Sequence, residues 1–332
     1  MGTIVLMIVP YFIGVFIMLK VGVVGVGGIS GAHIPAWEEI KEVELVALCD
    51  IRQERLDKYP SKRHYNDFKE MLEKEELDIL DICLPTYLHA DYAIMAMEKG
   101  INVICEKPIS LKEEDVERVY STAKKNNVKF MIAQVLRFWP EYELLKEIFD
   151  TEKYGKLLSG TMTRLGCYPK WSWDGWMMDE KRSGLTPFDL HIHDLDFMVY
   201  AFGAPKKVAH QYRSKRPDQD FISVTYDFGD FSINSEASWY ATSYPFTAEF
   251  RFQFEDAIIS NEGQGLKIYE RGGNVVSLEE AATGDTGEIN LPKSGAYAVE
   301  IAYFADCVKN NKIPEKVKPD ELETVIDILN NL

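Results

Sequence analysis

Short, uninterrupted apolar runs alternate with amphipathic stretches through the first half of the chain. The runs occupy residues 20–24, 43–49, 79–84, 101–105 and 128–133. A run of this length without alternation is typical of a strand that is buried on both faces of a sheet. The stretches between the runs have helical spacing, as in residues 113–126, for which Ser110 is the expected N-cap. The alternation predicts a doubly wound parallel α/β sheet.

The pattern changes near Trp139. After a helix predicted at about 141–150, apolar and polar residues alternate with the period of half-buried strands. The strand segments are 156–165, 206–214, 219–228, 230–240, 246–254, 256–260 and 265–270. They predict a large, open, mostly antiparallel sheet, followed by helices at 296–309 and 319–332. We therefore expect two domains, 18–138 and 139–332, and since no low-complexity linker separates them, a site between them.

The first 19 residues carry no charge. A run of this length suits a membrane span, but it lacks the basic region and cleavage site of a secretory signal. It also joins the strand at 20–24 without a spacer. We therefore expect residues 1–17 to be an upstream extension of a chain whose natural start is Met18, and a membrane anchor is the alternative.

Composition narrows the class of protein. Of 332 residues, 46% are apolar and 27% charged, as in a soluble globular protein. There are 37 Lys and Arg against 53 Asp and Glu, a net charge of −16, which disfavours nucleic acid and anionic membranes as partners. The five cysteines are widely spaced and form no CxxC pair, which indicates a reducing, cytoplasmic location without a disulfide framework or a zinc site.

A glycine cluster follows the first predicted strand. Gly25 allows a tight turn, Gly27 allows close approach of a pyrophosphate, and a helix beginning near Ser30 would direct its N–H groups at the phosphates. Asp50 ends the second strand, where its carboxylate can accept ribose hydroxyls; this favours NAD, whereas Arg52 nearby could bind the 2′-phosphate of NADP. The alternative is an ordinary turn with a chance acid.

Two further motifs follow strands whose carboxyl ends should meet the same crevice. Leu84-Pro85-Thr86, with His89 beyond it, follows the third apolar run, and a simple helix start is the alternative interpretation. Glu106-Lys107 follows the fourth run. A lysine there can hold a substrate hydroxyl and favour the alkoxide, and the alternative is a solvated turn.

The segment 184–196 is the richest in ionisable groups. If it is helical, Asp189 and His193 form an i, i+4 pair in which the carboxylate orients an imidazole that acts as general base. Alternatively, His191 and His193 could bind a metal together with Asp194 or Asp196, or both histidines could be buried in the core. We expect no metal, because no further ligand cluster occurs.

Aromatic residues crowd the segment 168–176, where Tyr168, Trp173 and Trp176 are candidate sugar-stacking residues. Packing of this loop on the second sheet is the alternative. Gln134 and Arg137 are further candidates for substrate contact, and Arg137 could equally reach a structural carbonyl.

In their order, these motifs resemble the Gfo/Idh/MocA family (glucose–fructose oxidoreductase, inositol dehydrogenase and rhizopine catabolism). The resemblance runs from Met18 over most of the chain; the extension 1–17 is foreign to the pattern, and the last helix is expected to be shorter than in relatives. It implies a Rossmann domain and an α+β domain that binds substrate and forms dimers or tetramers through the open sheet.

The resemblance also implies roles for single residues. Lys107, Asp189 and His193 would be the catalytic residues. The cofactor would be lined by Gly25, Gly27, Gly28, Ile29, Ser30, Asp50, Arg52, Leu84, Pro85, Thr86, His89, Glu106 and Lys107. The expected activity is hydride transfer between NAD or NADP and a secondary alcohol of a sugar, polyol or inositol-like substrate. The alternatives are an NAD-dependent glycosidase of this fold and a non-enzymatic NAD(P)-sensing regulator.

Overall fold

The computed structural model describes residues 18–214, 216–263, 265–278 and 295–332. The expectations for residues 1–17 therefore fall outside the described residues. Within the described ranges, no helix combines the length and the apolar character needed to cross a membrane.

Six parallel strands form the first sheet. They are β1 Leu19–Val24, β2 Val43–Cys49, β3 Arg63–Tyr65, β4 Ile79–Ile82, β5 Asn102–Glu106 and β6 Phe130–Ala133. Their order, β3-β2-β1-β4-β5-β6, is that of a doubly wound Rossmann sheet, which confirms the predicted fold class. All residues of β4 and β6 are buried, as the uninterrupted apolar runs predict. The short β3 was missed because it is partly exposed and contains no apolar run.

Helices cover this sheet. They are α1 Ser30–Glu39, α2 Gln53–Leu56, α3 Phe68–Lys74, α4 His89–Met97 and α5 Glu114–Lys125. The helix predicted at 113–126 is confirmed as α5, which buries Val116 and Val119. Its predicted cap is wrong, because Glu113 occupies the N-cap position. The Ser110 hydroxyl instead donates to the Asp115 carboxylate.

Eight strands form the second sheet, which follows α6 (Pro140–Asp150). They are β7 Leu157–Cys167, β8 Lys207–Ser214, β9 Phe221–Asp227, β10 Ser232–Tyr240, β11 Thr247–Phe254, β12 Ala257–Ser260, β13 Leu266–Glu270 and β14 Val275–Leu278. Their order is β14-β13-β12-β11-β7-β10-β9-β8. Of the neighbouring pairs, β7 and β10 run parallel and the others antiparallel, so the mostly antiparallel sheet is confirmed.

One face of the second sheet packs against helices. The Tyr142 ring of α6 meets Phe250 of β11 edge-on, with ring centroids 5.1 Å apart. Four further helices complete the described fold: α7 Glu180–Ser183, α8 Ile192–Phe202, α9 Ala296–Lys309 and α10 Pro319–Asn330. A π-helical turn, Pro187–His191, leads directly into α8.

The two sheets share one continuous apolar core. Helix α9 lies against α1 of the first sheet, and α10 packs on both α5 and α8. The domains expected from the sequence are therefore in close contact, and helices from the end of the chain help to cover the first sheet.

Candidate active site

A cavity of about 1580 Å³ lies between the carboxyl edge of the first sheet and the second sheet. Pockets for single small ligands usually span about 300–1,000 Å³, so this cavity has room for a dinucleotide and a substrate together. Most of the predicted site residues line it: Gly25, Gly27, Gly28, Ile29, Asp50, Arg52, Leu84, Pro85, Thr86, Glu106, Lys107, Trp173, Trp176, Asp189 and His193.

The glycine turn after β1 has the geometry that a phosphate site needs. Gly25 has φ +90°, and a Cβ atom there would lie 2.5 Å from the carbonyl oxygen of Cys83, so only glycine fits. A Cβ atom at Gly27 would meet nothing within 4 Å. Helix α1 begins at Ser30 without a side-chain cap from the described residues. The N–H groups of Gly31 and Ala32 donate to the carbonyl oxygens of Gly28 and Ile29, so it is the positive end of the helix dipole that is suited to a pyrophosphate.

Asp50 supports the same turn from the end of β2. Its Oδ2 accepts from Val26 N at 2.8 Å and from Arg52 Nη2 at 3.2 Å. Its Oδ1 accepts from Arg52 N at 2.9 Å and from Arg52 Nε at 3.1 Å. Since a carboxylate has about four acceptor sites, a ribose hydroxyl can bind Asp50 only if it displaces the Arg52 guanidinium.

Glu106, at the end of β5, contacts both the backbone of Lys107 and the buried side chain of His33. Its Oε2 accepts from Lys107 N at 3.0 Å, and its Oε1 lies 3.0 Å from His33 Nε2. The other nitrogen of His33 lies 2.9 Å from Asp81 Oδ2. Burial lowers the pKa of His33, but the charges and hydrogen bonds of Asp81 and Cys83 more than offset this, so the pKa is raised well above 6.5. His33 is therefore an imidazolium held between two carboxylates.

Lys107 reaches from the first sheet to the π-helical turn of the second part. Its Nζ donates to the backbone oxygen of Asp189 at 2.7 Å, and Asp189 Oδ1 lies 3.4 Å away. The side chains of Lys107 and Asp189 are 13% and 19% exposed, so both remain open to the cavity. The ammonium group is thus held by one residue and still accessible to a ligand.

His193 lines the cavity from the first turn of α8. Burial, then the positive charges of Lys107 and Arg164, lower its pKa well below 6.5. Its Nδ1 is buried and has no hydrogen-bond partner among the described residues. A neutral imidazole of this kind can accept a proton at neutral pH.

The predicted Asp189–His193 pair is wrong in its geometry. No hydrogen bond joins the two side chains in the part of the chain that the structure describes, and Asp189 instead pairs with Lys107. The reason is local: Asp189 lies in a π-helical turn, whose wider spacing breaks the regular i, i+4 relationship with α8.

The other acidic and imidazole groups of this segment are bound elsewhere. His191 is buried, with Nε2 2.5 Å from the Tyr226 hydroxyl. Asp194 accepts from Arg164 Nη2 at 2.7 Å. Asp196 accepts from Arg137 Nη2 at 2.6 Å. His191 is therefore a core residue, and the two carboxylates that were its possible co-ligands for a metal are paired with arginines.

Two family models match the chain. The model described as "Oxidoreductase family, NAD-binding Rossmann fold" matches residues 19–134, and the "GFO/IDH/MocA C-terminal domain" matches residues 142–259. The chain belongs to the Gfo/Idh/MocA family. The resemblance in the motifs is thereby confirmed.

Individual relatives of the family have different activities. The 2,7-anhydro-N-acetylneuraminate hydratase of Mediterraneibacter gnavus is 28% identical over 172 residues, 49% of this chain and 46% of the relative. The myo-inositol 2-dehydrogenase of Thermotoga maritima is 30% identical over 190 residues, 56% of this chain and 55% of the relative. The chain thus spans about half the length of the curated relatives it matches.

A solved structure of levoglucosan dehydrogenase, in complex with NADH and levoglucosan, superposes with a TM-score of 0.78. The superposition covers 94% of this chain and 95% of that protein at 19% sequence identity. At this identity the likeness shows the fold alone.

Five predicted residues lie outside the lining of the cavity in this Gfo/Idh/MocA protein: Ser30, His89, Gln134, Arg137 and Tyr168. Arg137 is the clearest correction. It is fully buried, its guanidinium binds Asp196, Glu321 and the carbonyl oxygen of Lys316, and it therefore joins α8 to α10 instead of contacting substrate.

The other four make contacts within the protein or lie in its interior. Ser30 Oγ donates to Gly27 O at 2.8 Å and closes the glycine turn. The ring nitrogens of His89 lie 2.6 Å from Pro108 O and 2.7 Å from Leu84 O, so this histidine joins the loops after β4 and β5. Gln134 is buried, and Tyr168 packs beside Met177, Leu185 and Trp239.

Sequence reasoning missed several contributors to the site, of which His33 and Tyr297 are two. His33 carried a usable signal, since it is a polar residue one turn into the helix that follows the glycine cluster. Tyr297 lines the cavity from α9. It gave no signal, because nothing local to its sequence indicates that α9 returns to the first sheet.

Proposed function

We propose that this protein is an NAD(P)-dependent oxidoreductase acting on a secondary alcohol or ketone of a sugar, polyol or inositol-like substrate. The observation that carries the proposal is that a lysine ammonium and a neutral imidazole line the same cavity. The Lys107 ammonium, held by Asp189, and the neutral His193 imidazole line the same cavity as the glycine turn.

The residues present fit a nicotinamide dinucleotide. The turn 25–30 and the start of α1 would hold the pyrophosphate, and Asp50 with Arg52 would hold the adenosine ribose. When bound, the cofactor supplies the acceptor or donor of the hydride. We favour NAD, since the Asp50 carboxylate disfavours a 2′-phosphate and already neutralises Arg52.

The chain's own groups manage the proton and the charge on oxygen. In the oxidative direction, His193 accepts the hydroxyl proton, because its lowered pKa leaves it unprotonated at neutral pH. The Lys107 ammonium binds the same oxygen and stabilises its developing negative charge. Asp189 positions Lys107 through its backbone oxygen and carboxylate.

A second candidate is a reaction without net oxidation. One relative is named a hydratase, and addition or loss of water leaves the overall oxidation state unchanged. The same residues would serve a transient oxidation, an elimination and a return of the hydride, as in the glycosidase alternative. A purely sensing role is disfavoured, since a sensor has no need for the paired Lys107 and His193.

We also propose that the chain forms dimers or tetramers through the open face of the second sheet and that it is cytoplasmic. Ile258 and Tyr269, on neighbouring strands β12 and β13, are exposed apolar residues of the kind that mark interfaces. All five cysteines are free, in keeping with a reducing compartment. Light scattering and cell fractionation test the two points.

A substrate panel tests the proposed reaction. The protein is incubated with sugars, polyols and inositols together with NAD or NADP, and reduced cofactor is followed by absorbance while products are followed by mass spectrometry. Net reduced cofactor with a ketone product supports the dehydrogenase. Product formation without reduced cofactor supports the redox-neutral candidate, and conversion that needs no dinucleotide contradicts both.

A further inference from the structure

A loop from the second part of the chain lies over the adenosine side of the cavity. The Trp173 ring centroid is 5.6 Å from Cζ of Arg52, the residue that binds Asp50 at the end of β2. A second contact of the same kind joins Arg182 of α7 to the Tyr87 ring beyond β4, at 6.0 Å. Both Trp173 and Tyr87 line the cavity. The loop is thus attached to the cofactor edge at two points.

The backbone beside Trp173 is held by hydrogen bonds within its own segment. Arg182 donates to the Asp174 carboxylate at 2.9 Å from Nη1 and to the Asp174 backbone oxygen at 2.9 Å from Nη2. Asp174 has φ +52°, a left-handed conformation that costs a non-glycine residue about 1 kcal/mol. These two hydrogen bonds offset that cost and fix the backbone next to Trp173.

Trp173 and Trp176 have different surroundings, although both line the cavity. Trp173 is 42% exposed and lies against Arg52. Trp176 packs against the cluster of Met177, Leu185 and Trp239, together with Leu190, which is next to Asp189. The two indoles therefore have different neighbours: Trp173 lies beside Asp50 through Arg52, whereas Trp176 packs on the apolar cluster that Leu190 also contacts.

We infer that Trp173 is a cofactor-binding residue that completes the adenosine pocket from the second part of the chain. The inference rests on the proposed use of a nicotinamide dinucleotide. A ribose hydroxyl that binds Asp50 must displace the Arg52 guanidinium, because that group occupies two of the carboxylate's acceptor sites. The indole then offers an apolar face for the adenosine base, which stacks on it. Trp173 accordingly contributes to cofactor affinity, a role different from the sugar stacking predicted from the sequence.

Calorimetric titration with three ligands separates binding of the adenosine from binding of the nicotinamide. NADH contains both the nicotinamide and the adenosine, ADP-ribose lacks the nicotinamide, and reduced nicotinamide mononucleotide lacks the adenosine. Trp173→Leu should weaken both NADH and ADP-ribose about 10-fold, in the range of base–aromatic stacking, and leave the mononucleotide within about twofold. Trp173→Phe should recover most of the loss, because it keeps an aromatic face.

The matched control is Trp176→Leu, which removes an indole of the same loop and should not weaken ADP-ribose. Unchanged ADP-ribose affinity in Trp173→Leu, or an equal loss for the mononucleotide, overturns the inference. If the wild-type protein binds neither NADH nor ADP-ribose, the proposed function fails and the inference with it. Far-ultraviolet circular dichroism checks that each variant is folded.

Discussion

Lys107 and Asp189 are joined by two different contacts across the cavity. The ammonium donates to the backbone oxygen of Asp189 at 2.7 Å and lies 3.4 Å from its carboxylate. The shorter contact does not depend on the side chain of Asp189. The orientation of Lys107 is therefore largely set by the backbone of the π-helical turn. The Asp189 carboxylate mainly contributes a negative charge beside the ammonium.

Asp189→Asn should consequently be a mild variant. The backbone contact remains and only the charge is lost, so kcat should fall by about 10-fold, less than the factor of about 10²–10⁴ that is typical for loss of an acid–base group. Steady-state kinetics on a turnover substrate measure this. A loss as large as that of a Lys107 variant would show that the carboxylate itself takes part in proton transfer.

The pH dependence of turnover should reflect His193. Burial, followed by the charges of Lys107 and Arg164, lowers its pKa well below 6.5. Since the unprotonated form is the base, kcat/KM for oxidation should stay high through neutral pH and fall only below the usual imidazole range. An acid limb above about pH 7 would contradict this assignment. His193→Asn should remove the limb along with most of the activity.

His191 should make stability depend on pH. Burial and then the charge of Arg164 lower its pKa to about 3, whereas the unfolded value is near 6.5. The unfolded chain thus binds a proton that the folded protein does not. Stability is therefore full above about pH 6.5 and falls with decreasing pH, by at most about 1.4 kcal/mol per pH unit.

His191→Gln should flatten that acid slope, measured by urea unfolding between about pH 7 and about pH 5. His193 adds a slope of the same sign in both proteins, so the difference between them isolates His191. The raised pKa of His33 gives a stabilisation that is full below about pH 6.5 and declines at higher pH, and it cancels in the comparison because both proteins contain His33. Equal slopes in the two proteins would show that folding does not lower the pKa of His191.

Arg52 should influence cofactor choice. Its guanidinium occupies two acceptor sites of Asp50 and is the nearest candidate for a 2′-phosphate. Arg52→Gln should weaken NADP about 10-fold, consistent with loss of a charged contact, and leave NAD within a few-fold. Titration with both cofactors measures this. Tighter binding of NADP than of NAD by the wild-type protein would overturn the preference for NAD that we infer from Asp50.

The buried His33 should be needed for stability. Removal of one partner from a buried ion pair typically costs about 3–5 kcal/mol. His33→Gln should therefore lower the free energy of unfolding by about that amount, because it leaves the Asp81 and Glu106 carboxylates without their cation. The double variant His33→Gln/Asp81→Asn removes one charge of each sign and should recover part of the loss. Urea unfolding compares the three proteins.

The fold was predictable where a local pattern reports burial. The strands β1, β2, β4, β5 and β6 are short apolar runs because both faces of a parallel sheet are covered. The three residues of β3 have no such pattern, since the strand lies at the sheet edge and is partly exposed. The cap at Ser110 failed because its hydroxyl found a partner in Asp115, and sequence spacing cannot rank such competing partners.

The site was predictable where it follows strand ends. The carboxyl ends of parallel strands share one edge, so the glycine turn, Asp50 and Lys107 had to converge on the cavity. Contacts between distant parts of the chain were not predictable. The His33–Glu106 contact spans 73 residues, and the Arg137–Glu321 contact spans 184. Such pairs depend on how α1 and α10 pack, which local sequence does not encode.

The central claim is that Lys107 acts on the reacting oxygen during hydride transfer. The most direct measurement is the single-turnover rate of cofactor reduction by wild-type protein and by Lys107→Met, with NADH affinity determined for both. The account predicts a rate about 10²–10⁴-fold lower in the variant, with NADH affinity within a few-fold of wild type. Equal rates in the two proteins, with NADH bound normally, would contradict it.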